Sequence, residues 1–414
     1  MTMGQEKQLL AELRPGMSVY IQGAGGEPLA LGPLLAQAPE RLAGVRLTSC
    51  LLPGINGFDY AALDPAARVT TFMLPPALRA SFEAGRVKVR PLPYSQIAAA
   101  LGVDPAPDLA IFQVSPPDRD GLCSLGPCSD FAGIVWPRAD RLVGFVNPAL
   151  PSTRRGPSIP FTALDIVVES EGAFITGEDG AVSSDQTAIA DRIAALIPDG
   201  AALQTGIGGA PVAALTRLTD HRGLFIRSGM VTEGYRTLAS AGALARGADH
   251  ITGLAYGSPD FMAWAADELI FADATVTHGA ASLAGVERLF AINSALEVDL
   301  FGQANIEWRS GRLVSGLGGA PDFARAARRS VGGRAVLALP ATAGGGALSR
   351  IVPRLTAPTV SIPRDDTDLV ITEHGVADLR GASLEARAES LIAIAAPEHR
   401  GGLAEAWKEI RRGL

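Results

Sequence analysis

Residues 14–28 read RPGMSVYIQGAGGEP, and residues 198–211 read PDGAALQTGIGGAP. Each stretch is a turn, a short apolar run of strand character, and then Gly-x-Gly-Gly-x-Pro. A helix-like run follows in both, LALGPLLAQ at 29–37 and VAALTRL at 212–218. A second echo lies at a similar distance downstream, where GVRLTSCLLPG (44–54) resembles GLFIRSGMVTEG (223–234). Two echoes in the same order describe a duplicated chain. Further strand candidates, RLVGFVNP (141–148), LDIVVES (164–170) and VLALP (336–340), alternate with alanine-rich helical stretches. The expected fold class is therefore α/β, two related open lobes with mostly parallel sheets covered by helices. Residues 172–187, GAFITGEDGAVSSDQT, lose apolar periodicity, which puts the boundary between about 172 and 188 and the lobes at 1–180 and 181–414.

Length agrees, since 414 residues exceed one ordinary core and suggest about two domains of ~200 residues. With 47% hydrophobic and 19% charged residues the chain has the apolar surface for large cores, which excludes a disordered class. A formal charge of -7 without a basic run argues against a nucleic-acid partner. No apolar stretch suits a signal sequence or a membrane span, so no membrane partner is expected and a cytoplasmic location is. Cys50, Cys123 and Cys128 have no disulfide-framework spacing; they read as packing residues in a reducing compartment.

Three loops, Gly23 to Pro28, Gly206 to Pro211 and Gly316 to Pro321, share the glycine pattern. Glycines allow positive φ and expose backbone N–H groups, and proline at the sixth position suits the first turn of a helix whose dipole favours an anion. The dinucleotide fingerprint needs glycine where these loops have proline, so dinucleotide binding is disfavoured. A lone loop of this kind is usually a structural turn; three in a tandem frame point to anion binding.

Other standard sites are missing. There is no Gly-x-Ser-x-Gly elbow, no Walker loop and no His-Glu-x-x-His, and His221, His250, His278, His374 and His399 are scattered, so no metal is expected. Glu233, Glu297, Glu373 and Asp378, beside glycines or at strand ends, are the candidate reactive groups. The bland alternative for each is a solvated or helix-capping carboxylate.

Residues 370–400, VITEHGVADLRGASLEARAESLIAIAAPEHR, resemble the closing signature of the acetyl-CoA hydrolase/transferase family. VSPPDRDGLCSLG (114–126), DGAALQTGIGGAP (199–211), INSALEVDLFGQAN (292–305), SGLGGAPDFARAA (315–327) and SRIVP (349–353) are similar to the family in the family's order. The resemblance implies a CoA-transferase-like fold of two related lobes with the active site between them. It also implies coenzyme A thioesters as ligands, with acyl-CoA and a small carboxylic acid as partners. In the family's transferases a glutamate attacks the acyl-CoA carbonyl, and the released thiolate then forms a glutamyl-CoA thioester. Backbone N–H donors would stabilise the oxyanions formed on the way. The resemblance assigns Gly206, Gly208, Gly209, Gly316, Gly318 and Gly319 to the coenzyme and the oxyanion, and Asn293 and Glu373 to the reacting groups.

One departure stands out. The family's glutamate position corresponds to Gly229 within Arg227-Ser228-Gly229-Met230-Val231-Thr232-Glu233-Gly234. Three readings follow: a transferase using a displaced carboxylate such as Glu233, a hydrolase with Glu233 or Glu373 as general base, or a CoA-binding protein that has lost catalysis. A homodimer is the expected assembly, as the common case for soluble enzymes.

Overall fold

The computed structural model describes residues 2–178 and 180–414. The chain forms two compact units. The first comprises Met1–Glu178, His250–Thr277 and Val314–Gly318; the second comprises Asp179–Asp249, His278–Leu313 and Gly319–Leu414.

The first unit is built on seven strands: β1 (Ser18–Ile21), β2 (Arg46–Thr48), β3 (Arg68–Thr71), β4 (Val87–Val89), β5 (Leu109–Val114), β6 (Leu142–Val146) and β7 (Ile166–Glu169). They lie in the order β4-β3-β2-β1-β5-β6-β7, all parallel. The chain winds outward from β1 to one edge and then returns to the other side of β1, which makes the gap between β1 and β5 a switch point. β5, Leu-Ala-Ile-Phe-Gln-Val, is buried along its whole length, as a strand covered on both faces should be. All three cysteines are buried and unpaired, in keeping with a packing role.

In the second unit the sheet strands are β8 (Ala202–Thr205), β9 (Phe225–Val231), β10 (Leu289–Ser294), β11 (Arg334–Ala338), β12 (Leu369–Thr372) and β13 (Gly375–Asp378). Their order is β9-β8-β10-β11-β12-β13, parallel except for the antiparallel edge β12–β13. β8 to β12 thus repeat the places of β1, β2, β5, β6 and β7, and the sequence echoes fall on equivalent strands. Of this unit's helices, four frame the site: α1 (Ser184–Ala194), α2 (Gly209–Leu215), α3 (Glu233–Ser240) and α4 (Ala320–Arg329).

Local sequence explains these helices. α1 opens on a capping box between Ser183 and Gln186. α4 has Pro321 and Asp322 in its first turn and Arg328 and Arg329 in its last, matching the helix dipole at both ends. Its buried face, Pro321, Phe323, Ala324 and Ala327, packs on β10 and β11. That face joins Leu289, Ala291, Leu337 and Val370 in one core, where each large apolar side chain contributes about 1.5–3 kcal/mol. Among the described residues no helix is long and apolar enough to cross a membrane.

The three glycine loops differ in conformation. After β1, the left-handed residue is Ala24 (φ 48°), and the next helix starts only at Leu31, so Pro28 does not open a helix as the shared pattern suggests. Glu27, buried, closes this loop by accepting hydrogen bonds from Asn56 Nδ2 and Tyr60 Oη, both at 2.7 Å. Burial pushes its carboxyl above the usual range, and these two bonds oppose the shift. The other two loops do lead into helices, with Gly208 capping α2 at φ 145° and Gly319 capping α4.

Candidate active site

The second unit's sheet register assembles the site. Leu203 pairs with Ile226 and Thr205 with Ile292. One residue past the last β8–β10 pair Gly206 meets Asn293, whose Oδ1 a Cβ on that glycine would overlap. Gly206 and Asn293, 87 residues apart in sequence, therefore share one row at the carboxyl end of the sheet, next to the switch point where open α/β sheets bind ligands.

Asn293 is buried and pairs reciprocally with Gln204: Asn293 Nδ2 donates to Gln204 Oε1 at 3.0 Å, and Gln204 Nε2 donates to Asn293 Oδ1 at 3.2 Å. This amide pair ties β8 to β10. Gly206 spends its N–H on Ile292 O at 2.8 Å, so that donor serves the sheet rather than an anion. A Cβ on Gly206 would overlap the Asn293 amide, one on Gly208 the Ser294 hydroxyl, and one on Gly209 the Gln186 amide. Gly208 is favoured by its φ, and Gly206 and Gly209 leave the space that the Asn293 and Gln186 amides occupy. The first N–H groups of α2, which begins at Gly209, have no intrahelical acceptor.

Gly229 sits within β9, and its φ lies outside the left-handed region. Its side-chain space is occupied. A Cβ there would come within 2.6 Å of both Cε1 and Nε2 of His278 and 3.5 Å of Phe323. Gly319 borders the same ring from the cap of α4, and a Cβ there would overlap Nε2 and meet Phe323 at 3.5 Å. The imidazole stands edge-on to Phe323, with centroids 4.8 Å apart at 61°. It is only 4% exposed, and burial pushes its pKa down to about 3, which keeps it uncharged at neutral pH. His278 is one of five histidines scattered along the sequence, and nothing within its own segment signals that residues 229 and 319 close on it.

The carboxylates are dispersed. Glu233 is half-buried in the first turn of α3, capped by Thr232. In the same helix Tyr235 is fully buried with its hydroxyl 3.1 Å from Thr205 Oγ1, and burial pushes its pKa up to about 12. Glu373 follows β12 and is held by Ala341 N–H, which reaches both carboxylate oxygens (2.8 and 3.1 Å), with His374 Nε2 3.6 Å away. Glu297 is a loop clamp, accepting from Thr356 N, Thr356 Oγ1 and Ala357 N. Asp378 pairs with Arg380. Gly316 and Gly318 pack within the first unit: Gly316 lies against Phe72 and Met73, and Gly318 O accepts from Tyr94 N. A separate cavity of about 410 Å³, lined by Phe290, Arg334 and Leu369, opens at the amino ends of β10, β11 and β12, away from this row.

Comparison with known proteins adds an independent line. The sequence pattern of the acetyl-CoA hydrolase/transferase N-terminal domain matches residues 4–176, and that of the C-terminal domain matches residues 257–407. The 4-hydroxybutyrate coenzyme A transferase of Clostridium kluyveri is 30% identical over 409 residues, covering 94% of both chains. The crystal structure of RipA from Yersinia pestis superposes with a TM-score of 0.91 at 27% identity, covering 98% of this chain and 97% of that one. The 4-hydroxybutyrate CoA-transferase of Porphyromonas gingivalis superposes with a TM-score of 0.81 at 29% identity over 99% of this chain and 97% of that one.

Proposed function

Because this chain belongs to the acetyl-CoA hydrolase/transferase family, enzymes acting on CoA thioesters, we propose that it cleaves short-chain acyl-CoA by passing the acyl group to water. The observation that carries this reading is the state of position 229: no carboxylate stands there, and an imidazole fills the space one would use. A glutamyl-CoA intermediate at residue 229 is therefore closed to the enzyme, whereas direct attack by water needs only a base and oxyanion donors. Water oxygen bonds to the thioester carbonyl carbon as a carboxylate takes its proton. The tetrahedral oxyanion then collapses, the C–S bond breaks, and CoA leaves as thiolate.

Glu373 is the carboxylate we assign as base, because the Ala341 N–H fixes its orientation. The amino ends of α2 and α4, at Gly208, Gly209 and Gly319, are the donors assigned to the oxyanion. Asn293 acts in this scheme by holding the row through Gln204 rather than by touching the acyl group.

Two measurements test the proposal. With a panel of acyl-CoA esters, free thiol should appear without any added carboxylic acid, and mass spectrometry after denaturation should find the protein unmodified. Exchange of labelled acetate into acetyl-CoA, with an adduct mapping to Glu233 and absent from Glu233→Gln, would instead make the chain a transferase with a displaced nucleophile. Separately, Glu373→Gln keeps an acceptor for Ala341 N–H and should lower thiol release by at least ~10²-fold with little loss of stability. Unchanged turnover in that variant would leave Glu373 a purely structural role.

A further inference from the structure

Gly229 of β9, with Gly319 at the cap of α4 and Phe323 within it, encloses one imidazole. From this geometry we infer that His278 is the specificity-determining residue of the site: its ring holds the volume in which a carboxylate at position 229 would act, and it thereby commits the enzyme to water as acyl acceptor. The inference rests on the function proposed above.

Residues 229 and 278 compete for one volume. A side chain at 229 cannot coexist with the ring, because its first carbon already falls 2.6 Å from two ring atoms. The ring cannot easily yield. It packs over Gly319 so closely on its Nε2 and Cδ2 side that a Cβ there would overlap it, Phe323 stands across it, and the residue is 4% exposed. Cores packed this closely resist added atoms, typically at ~1–3 kcal/mol or more. Conversely, removing the imidazole while 229 remains glycine leaves an unfilled space under β9. The two positions are therefore coupled, and changing one alone should damage the site whichever is chosen.

The chemistry follows the same division. With glutamate at 229 and the ring gone, a carboxylate oxygen can attack the acetyl-CoA carbonyl carbon, expelling CoA thiolate and leaving a mixed anhydride. The thiolate then attacks the glutamyl carbonyl, acetate departs with the anhydride oxygen, and a glutamyl-CoA thioester remains. No other reactant is needed. A neutral imidazole offers no such anion, and burial keeps this one neutral.

The test compares four full-length proteins: wild type, Gly229→Glu, His278→Ala and Gly229→Glu/His278→Ala. Thermal midpoints without substrate are expected to fall by at least ~5 °C in each single variant, and the double variant should recover most of the loss of Gly229→Glu. After incubation with acetyl-CoA and denaturation, intact mass should show a CoA adduct in the double variant only. An adduct forming as fully in Gly229→Glu alone would overturn the inference, as would a double variant with neither recovered stability nor adduct. Calorimetry of wild type with CoA separates the two levels of argument. If no CoA binds while the midpoints still couple, the proposed function fails and, with it, the commitment to water, and His278 keeps only its packing role.

Discussion

Truncating Phe323 to alanine is expected to destabilise the second unit by about 3–5 kcal/mol, the largest effect of any single change considered for this protein. The ring is 1% exposed and lies on the face of α4 that packs against β10 and β11. It also forms the edge contact with His278 and approaches the side-chain spaces of Gly229 and Gly319 to 3.5 Å. Removing it forfeits apolar burial and leaves a cavity that two glycines cannot fill, and the aromatic contact adds roughly 0.5–1.5 kcal/mol. Urea unfolding should show a lower midpoint with an unchanged slope, and thiol release should fall because the imidazole loses a wall. Phe323→Leu should retain more than half of the stability. A cost below ~1 kcal/mol for the alanine variant would mean that α4 does not pack on the sheet as described.

Asp130→Asn is expected to act in the opposite direction, stabilising the protein by about 2–4 kcal/mol at pH 8 while changing it little near pH 4. Asp130 is buried near Tyr20, Cys50, Tyr94 and Cys128, and its Oδ2 has no hydrogen-bond partner among the described residues. Burial pushes its carboxyl up to about 7. The unfolded chain releases this proton near pH ~4 and the folded chain only near 7, so the folded state binds the extra proton between these values. Stability therefore falls as pH rises through that window, and the full cost of burying the charge is present above it. Asparagine removes the charge, and it also tolerates the left-handed backbone that Asp130 adopts at φ 36°. Calorimetry of both proteins from pH 4 to 8 should show their difference growing with pH. A difference that stays flat would mean that Asp130 is ionised and compensated in the native state.

Much of the fold was legible because its signals are local. The duplicated strand and glycine loop, the buried apolar runs and the acid-to-base asymmetry of α4 each depend on residues within about ten positions of one another. The first glycine loop shows where such reading stops. Its motif matches the other two, yet Glu27 folds into it and bonds Asn56 and Tyr60, about 30 residues away, and no helix begins at Pro28. Among the carboxylates, nothing in their spacing separates Glu297, clamped by Thr356 and Ala357, from Glu373, which follows a core strand.

By itself, the sequence determined the α/β class, the repeated strand-loop-helix unit, the family resemblance and the absence of a glutamate at position 229, since all of these are properties of the order of residues along the chain. Tertiary structure alone decided what surrounds Gly229. The register of β8 and β10 brings Gly206 to Asn293, and the packing of α4 closes Gly319 and Phe323 around His278, which also fills the side-chain space of Gly229. Residues 229, 278 and 319 carry no mutual signal in the sequence. Their fit is a matter of excluded volume, which exists only once the core has closed and each side chain has met the neighbours that limit it.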